Sequence, residues 1–289
     1  MKHTKKLIPA IGMLLLSACM LVTSTFAWFS MNESVTATGM SVTAKGDQVY
    51  LQIINPEGTG TGTGNDKTFE NGKAQTVSNA KYTTANILPV NVVKSINEPT
   101  TEGSGESAVT TYSCTVYDGT DDLMWVTSIG ESNTVGTASA QYKDVTETAQ
   151  ATNGTYYLKN TFKIRLDPTA GATAANAPLK VASIKTDKSG QQFQNCMNVL
   201  VVSTINGTSM GQVWEYNGTT FVQKSTENGG GAAALSNGAF SAQYEATVEI
   251  YVFFNGDDVD CTQAVLAQVA KATYNVEVNF TVAAPINNG

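Results

Sequence analysis

Histidine is almost missing from these 289 residues: a single one, His3, lies in the basic segment at the start of the chain. Once that segment is removed, a Ser-His-Asp triad, a Cys-His dyad and a histidine-ligated zinc site are all excluded. Charge is also scarce, at 14 % of residues, with 17 Lys and Arg against 24 Asp and Glu. Loss of Lys2, Lys5 and Lys6 with the leader takes the formal net charge from −7 to −10. Without a Lys/Arg cluster beyond the leader there is no positive field for phosphate, which argues against nucleic acid as a partner. The Gly-Thr repeat at 58–64 lacks the Lys-Ser/Thr ending of a phosphate-binding loop, and no repeat of solenoid or propeller period is found. These gaps leave no cofactor to expect.

What the sequence does contain begins with a leader. Met1 to Lys6 is basic, Leu7 to Val22 is apolar, and Thr25-Phe26-Ala27 is a small-residue exit. This reads as a secretory signal peptide over 1–27, a helix in the precursor, cut between Ala27 and Trp28. Two alternatives stay open. The run from Leu7 to Phe29 approaches the length of a membrane span and can be retained as an anchor. Leu16-Ser17-Ala18-Cys19 also satisfies a lipobox that would lipidate Cys19, although the apolar run continues past it.

The remainder, 28–289, reads as one β-sandwich domain rich in Gly, Thr and Asn. Tyr244, Ala246, Val248, Ile250, Val252 and Phe254 alternate with Glu245, Thr247 and Glu249, and residues 274–282 repeat the pattern, as do 156–166. Period-two alternation marks strands with one buried face, whereas the continuous apolar run 197–205 marks one covered on both. Asn217-Gly218 between aromatic arms signals a hairpin over 212–223. Segments 35–54, 87–96 and 108–129 supply further strands. Polar, Gly-rich stretches near 55–85 and 97–107 read as loop insertions, and 227–234 as a flexible loop. One short helix is expected over Cys261–Ala272, capped by Asp260 or Thr262.

The leader and mature start, Leu15-Leu16-Ser17-Ala18 through Thr25-Phe26-Ala27-Trp28-Phe29-Ser30 with a Thr/Val-rich strand after it, resemble those of TasA/camelysin-like proteins. Tyr156 to Phe162 and Val248 to Cys261 resemble strand and loop signatures of related clostridial surface proteins. The resemblance implies secretion by a Gram-positive bacterium, a jelly-roll-like domain and a place in the biofilm matrix or a surface fibre. The metallopeptidase activity described for camelysin-like relatives has no His-Glu-x-x-His here to carry it.

From these residues the expected function is non-enzymatic and structural, at the cell surface or in the matrix, with other copies of the chain or matrix components as partners. The assembly segment would be 28–44, with Trp28, Phe29, Val35, Met40 and Val42 filling a neighbour's groove by strand addition, or pairing within their own domain. An adhesin or carbohydrate-binding module using Trp125, Trp214 and Tyr216 is the alternative, and a carboxylate-based hydrolase ranks last. Asp257, Asp258 and Asp260 form an oxygen-rich loop that calcium favours, without the Asp-x-Asp-x-Asp-Gly framework, and Asp118, Asp121 and Asp122 form a second cluster. Export permits a disulfide among Cys114, Cys196 and Cys261, whose pairing sequence does not give. The absence of a Leu-Pro-x-Thr-Gly signal argues against covalent attachment to the wall.

Overall fold

The strongest alternations in the sequence become the longest strands. The computed structural model describes residues 40–45, 51–54, 75–77, 88–104, 109–120, 122–129, 141–151, 155–166, 178–187, 196–224, 230–241, 243–258, 260–262, 265–266 and 274–282. In chain order these form β1 (Met40–Lys45), β2 (Leu51–Ile54), β3 (Gln75–Val77), β4 (Asn91–Ile96), β5 (Thr100–Glu102), β6 (Val109–Thr111), β7 (Cys114–Val116), β8 (Met124–Ile129) and β9 (Gln141–Asp144). There follow α1 (Thr146–Ala151), β10 (Tyr157–Leu166), β11 (Lys180–Thr186), β12 (Met197–Ile205), β13 (Thr208–Tyr216), β14 (Phe221–Gln223), β15 (Glu245–Phe254) and β16 (Tyr274–Thr281).

The fold is an all-β sandwich, as the alternation predicts. A six-stranded antiparallel sheet, in the order β14-β13-β12-β15-β10-β2, faces a four-stranded sheet ordered β11-β16-β1-β3. Ala246, Val248, Ile250, Val252 and Phe254 of β15 enter the core between them, with Phe162 and Ile164 of β10 and Val276, Val278 and Phe280 of β16. From β1 to β3, and again from β10 to β12, successive strands lie in opposite sheets.

The six-stranded sheet is also covered on its other face. A second four-stranded sheet, β7-β4-β8-β9, closes over Leu200 and Val202 of β12, Val213 of β13, and Tyr251 and Phe253 of β15. Trp125 of β8 fills this second core, with ring centroids 4.6 Å from Tyr157, 5.1 Å from Phe253 and 5.5 Å from Tyr251. Among the described residues, backbone hydrogen bonds fasten the third layer at two places in particular. Val90 N–H donates to the Phe254 carbonyl (2.9 Å), and Gly211 N–H donates to the Gly119 carbonyl (3.0 Å). At the second, three backbones meet, because Ala232 N–H also donates to the Gly211 carbonyl (2.7 Å). Gly119 has φ +86°, and a Cβ there would stand 2.0 Å from the Ala232 nitrogen. Neither the dihedral nor the space admits another residue.

Several elements differ from expectation. The Gly/Ala-rich segment read as a flexible loop lies along β13 from residue 230 to 232, where Gly230 accepts from Val213 N–H (3.0 Å), so it closes the sheet's edge. Within the 97–107 insertion, Thr100–Glu102 form β5, exposed throughout, which pairs antiparallel with β6 beyond it. The Asn217-Gly218 hairpin forms, but with a four-residue turn in which the Asn217 side chain accepts from Thr219 N–H (3.0 Å) and Thr220 N–H (2.9 Å). A tighter turn at Asn206-Gly207, with φ of +51° and +83°, joins β12 to β13 and was equally legible as an Asn-Gly signal.

Of the expected helix after Cys261, the described residues show N-terminal hydrogen bonds at Thr262. Thr262 caps it, its Oγ1 accepting from Val265 N–H (3.3 Å) while its carbonyl accepts from Leu266 N–H (3.0 Å). Residues 263–264 and 267–272 lie outside the described residues, as do 55–74, 78–85 and 105–107 of the expected insertions.

Trp125→Ala removes the largest side chain of the second core and should cost about 3–5 kcal/mol. Val222→Ser, on an exposed strand position, should change stability by less than about 0.5 kcal/mol. Urea or guanidinium denaturation of the two variants measures both.

Candidate functional site

The residues proposed to act at the surface separate into three groups. Ala27, Trp28, Phe29 and Val35 lie outside the described residues. Met40 and Val42 stand on β1, which runs parallel to β16 with Met40 opposite Tyr274 and Val42 opposite Val276. On its other side β1 is antiparallel to β3, with Val42 opposite Val77. The backbone of the expected assembly strand is thus paired on both sides within its own chain over 42–44.

The aromatic residues considered for glycan contact are corrected. Trp125, Trp214 and Tyr216 are 1 %, 9 % and 2 % exposed. Trp125 belongs to the second core, whereas Trp214 and Tyr216 face the first, where Tyr216 packs edge-on against Phe221 at 5.2 Å. A sugar stacks on a ring face open to solvent, and these faces are covered by other side chains.

The acidic loop is organised by its own backbone. Asn255 Oδ1 accepts from Asp257 N–H (3.1 Å), and Asp258 Oδ1 accepts from Asp260 N–H (2.8 Å). Asp257 Oδ2 accepts from Asn91 Nδ2 (2.7 Å). Asp257 and Asp258 therefore point to separate partners, and among the described residues no three His, Cys, Asp or Glu converge as metal ligands. In the second cluster Asp118 pairs with Lys94 and also accepts from Thr120, through Oγ1 (2.6 Å) and N–H (3.1 Å). The hydrogen bond from Lys94 is the main reason its carboxyl falls to about 2.

A cleft of about 260 Å³ opens between the third layer and the β13–β14 end of the central sheet. Asn91, Cys114, Tyr142, Lys224 and Asp257 line it. Burial pushes the Cys114 thiol up to about 11, with the negative charge of Asp257 adding to the effect. A thiol so placed is protonated at neutral pH and is a poor nucleophile. Desolvation raises the Asp257 carboxyl, while the hydrogen bond from Asn91 and the charge of Lys224 oppose it. The residue as a whole is exposed, so the cleft wall crowds its carboxylate on one side and water reaches the other. Among the described lining residues Asp257 is the sole carboxylate, whereas glycoside hydrolysis by paired acids needs a second facing it.

Two runs that sequence reasoning overlooks spell serine-hydrolase patterns. Gly207-Thr208-Ser209-Met210-Gly211 matches Gly-x-Ser-x-Gly, but it leads from a hairpin turn into β13, and Ser209 Oγ lies 3.0 Å from Thr204 Oγ1 on the paired strand. A nucleophile elbow needs a strand-to-helix turn, which this is not. Ser78-Asn79-Ala80-Lys81 matches Ser-x-x-Lys and lies outside the described residues.

No family model matches the chain, and no match is found among curated proteins or solved structures.

The shifted carboxyls give a pH dependence with opposite signs. Asp118, held below its ordinary 3.8, contributes stability that is full above that value and lost as pH falls towards about 2. Asp257, held above the same ordinary value, favours the fold most when protonated, and that contribution is lost as pH rises through its raised pKa. Asp118→Asn should therefore flatten the fall in melting temperature between about pH 4 and pH 2, and high salt should flatten it in the unmodified protein, since the pair is exposed. Thermal melts across that range check it.

Proposed function

We propose that this chain is a non-enzymatic structural protein of the bacterial cell surface or biofilm matrix, exported by its leader and assembled by exchange of its N-terminal strand. The observation that carries the reading is the position of β1. It lies between β16 and β3, and β3 has β1 as its one strand neighbour among the described residues. The hydrogen bonds that β1 makes belong to backbone groups, so the same segment from another copy satisfies them equally well. Exchange in one direction from copy to copy builds an open filament.

The sheet edges favour exchange over simple edge-to-edge growth. The six-stranded sheet ends in β14 and β2, of three and four residues, and β3 has three. At the remaining sandwich edge, β11 carries Lys180 and Lys185 and a register shift between Val181 and Ser183. Short strands, lysines and irregular register are the devices by which sheets resist unplanned pairing. With Trp125, Trp214 and Tyr216 buried, nothing in the described residues favours the adhesin reading over this one.

Deletion of residues 28–44 should abolish filaments seen by negative-stain microscopy. Because that deletion also takes most of β1 from the fold, a second measurement keeps the test independent of folding. Excess synthetic peptide of residues 28–45, added to the intact protein, should shorten filaments by occupying the acceptor site, while a scrambled peptide should not. A protein that stays monomeric at high concentration, or filaments indifferent to the peptide, would overturn strand exchange.

A further inference from the structure

We infer that Cys196 and Cys261 join as an intramolecular disulfide when the chain folds in the presence of an oxidising thiol–disulfide couple, leaving Cys114 as a thiol. Sequence spacing offers three cysteines and no pairing, and the topology selects two of them. Cys196 immediately precedes β12, and Cys261 follows the turns that leave β15. These strands are antiparallel neighbours with Met197 opposite Phe254, so the residue before one and the loop after the other meet at the same end of the sheet.

The backbone fixes that meeting. Asn255 N–H donates to the Cys196 carbonyl (2.9 Å), Asp258 N–H to the Asn255 carbonyl (3.2 Å), and Cys261 N–H to the Asp258 carbonyl (2.9 Å). Both side chains are buried in the same apolar core, at 0 % and 4 % exposure. The two sulfurs face each other, since the Cys261 thiol hydrogen-bonds with Cys196. Both stand as thiols in the structure, and side chains that converge on one another are what a disulfide requires. Cys114 is on β7 in the third layer, and its thiol borders the Asp257 cleft instead.

The chemistry is thiol–disulfide exchange. One cysteine loses its proton and attacks a sulfur of the oxidant's disulfide, releasing one oxidant thiolate. The second cysteine, also deprotonated, then displaces the other oxidant sulfur, so that one S–S bond forms in the protein. The two electrons and two protons leave with the oxidant as two thiols. In the folded core the hydrogen bond to Cys196 and burial both hold the Cys261 thiol far above its ordinary pKa. With both sulfurs buried, an oxidant does not reach them in the folded core, and the bond therefore forms while the chain folds, before the core closes.

The inference rests on the proposed extracellular setting only for the persistence of the bond, because secretion removes the protein from the reducing cytosol. In the decisive experiment the purified protein is unfolded, reduced and refolded with reduced and oxidised glutathione, then alkylated and digested without reductant. Mass spectrometry should find the Cys196 and Cys261 peptides joined, two hydrogens lighter than the separate thiols, with Cys114 alkylated. Reduction should lower the melting temperature by roughly 5–15 °C. Cys261→Ser should remove both signals and Cys114→Ser neither. The peptide map of the unsubstituted protein decides the pairing even if Cys261→Ser does not fold. A bond that includes Cys114, or two core cysteines fully alkylated after refolding, would overturn the inference. If the bond forms on refolding but protein taken from cells carries only thiols, the disulfide inference stands and the extracellular reading fails.

Discussion

The centre of the six-stranded sheet carries apolar side chains on both faces, and the rest of the architecture answers that constraint. Val199 and Val201 of β12 and Ile250 and Val252 of β15 point to one side, with Leu200, Val202, Tyr251 and Phe253 on the other. Left open, either face would expose a continuous apolar patch of the kind that drives association. The β11-β16-β1-β3 sheet closes the first, and the sheet built from residues 91–144 closes the second. This burial is not free of conflict. Asn198 has no exposed surface and neither of its amide atoms finds a hydrogen-bond partner among the described residues, an arrangement that costs about 1–3 kcal/mol.

Burying both faces also places the features of functional interest. The loop leaving β15 has to clear two cores at once, and it does so through a series of turns held by Asn255, Asp258 and the backbone. One side of that loop presents Asp257 to the cleft beneath the third layer, and the other brings Cys261 to Cys196. The first core depends on a cover whose own interior includes β1, a six-residue strand contributed from near the start of the chain. Strand exchange would thus act on the first core and leave the second, with its Trp125 cluster, intact.

Legibility in the sequence followed the period of the side chains. β10, β15 and β16 were readable because polar and apolar residues alternate along them, and β12 because Val199 to Val202 is an unbroken apolar run. The hairpin at Asn217 was readable for its turn chemistry, and the one at Asn206-Gly207 carried the same signal. α1 was not readable, since Thr-Glu-Thr-Ala-Gln-Ala offers no apolar stripe. Its start is fixed instead by Asp144, which accepts from Thr146 N–H (2.8 Å), and by Thr146 Oγ1, which accepts from Trp125 N–H (2.9 Å). The candidate site was legible only in part. Asp257 stood out as one of three crowded acids, but its partner Asn91 lies 166 positions away and carried no signal.

By itself the sequence determined an all-β fold and its main strands, because period and turn chemistry are local properties of the chain. It also determined that no histidine follows His3, and a residue type that is absent cannot be supplied by folding. Which face of a strand is covered twice, which tryptophans are core, and which two of three cysteines meet were decided only by the tertiary structure. Each depends on pairing between segments far apart in the chain, and side chains of the same type read alike until those partners are in place.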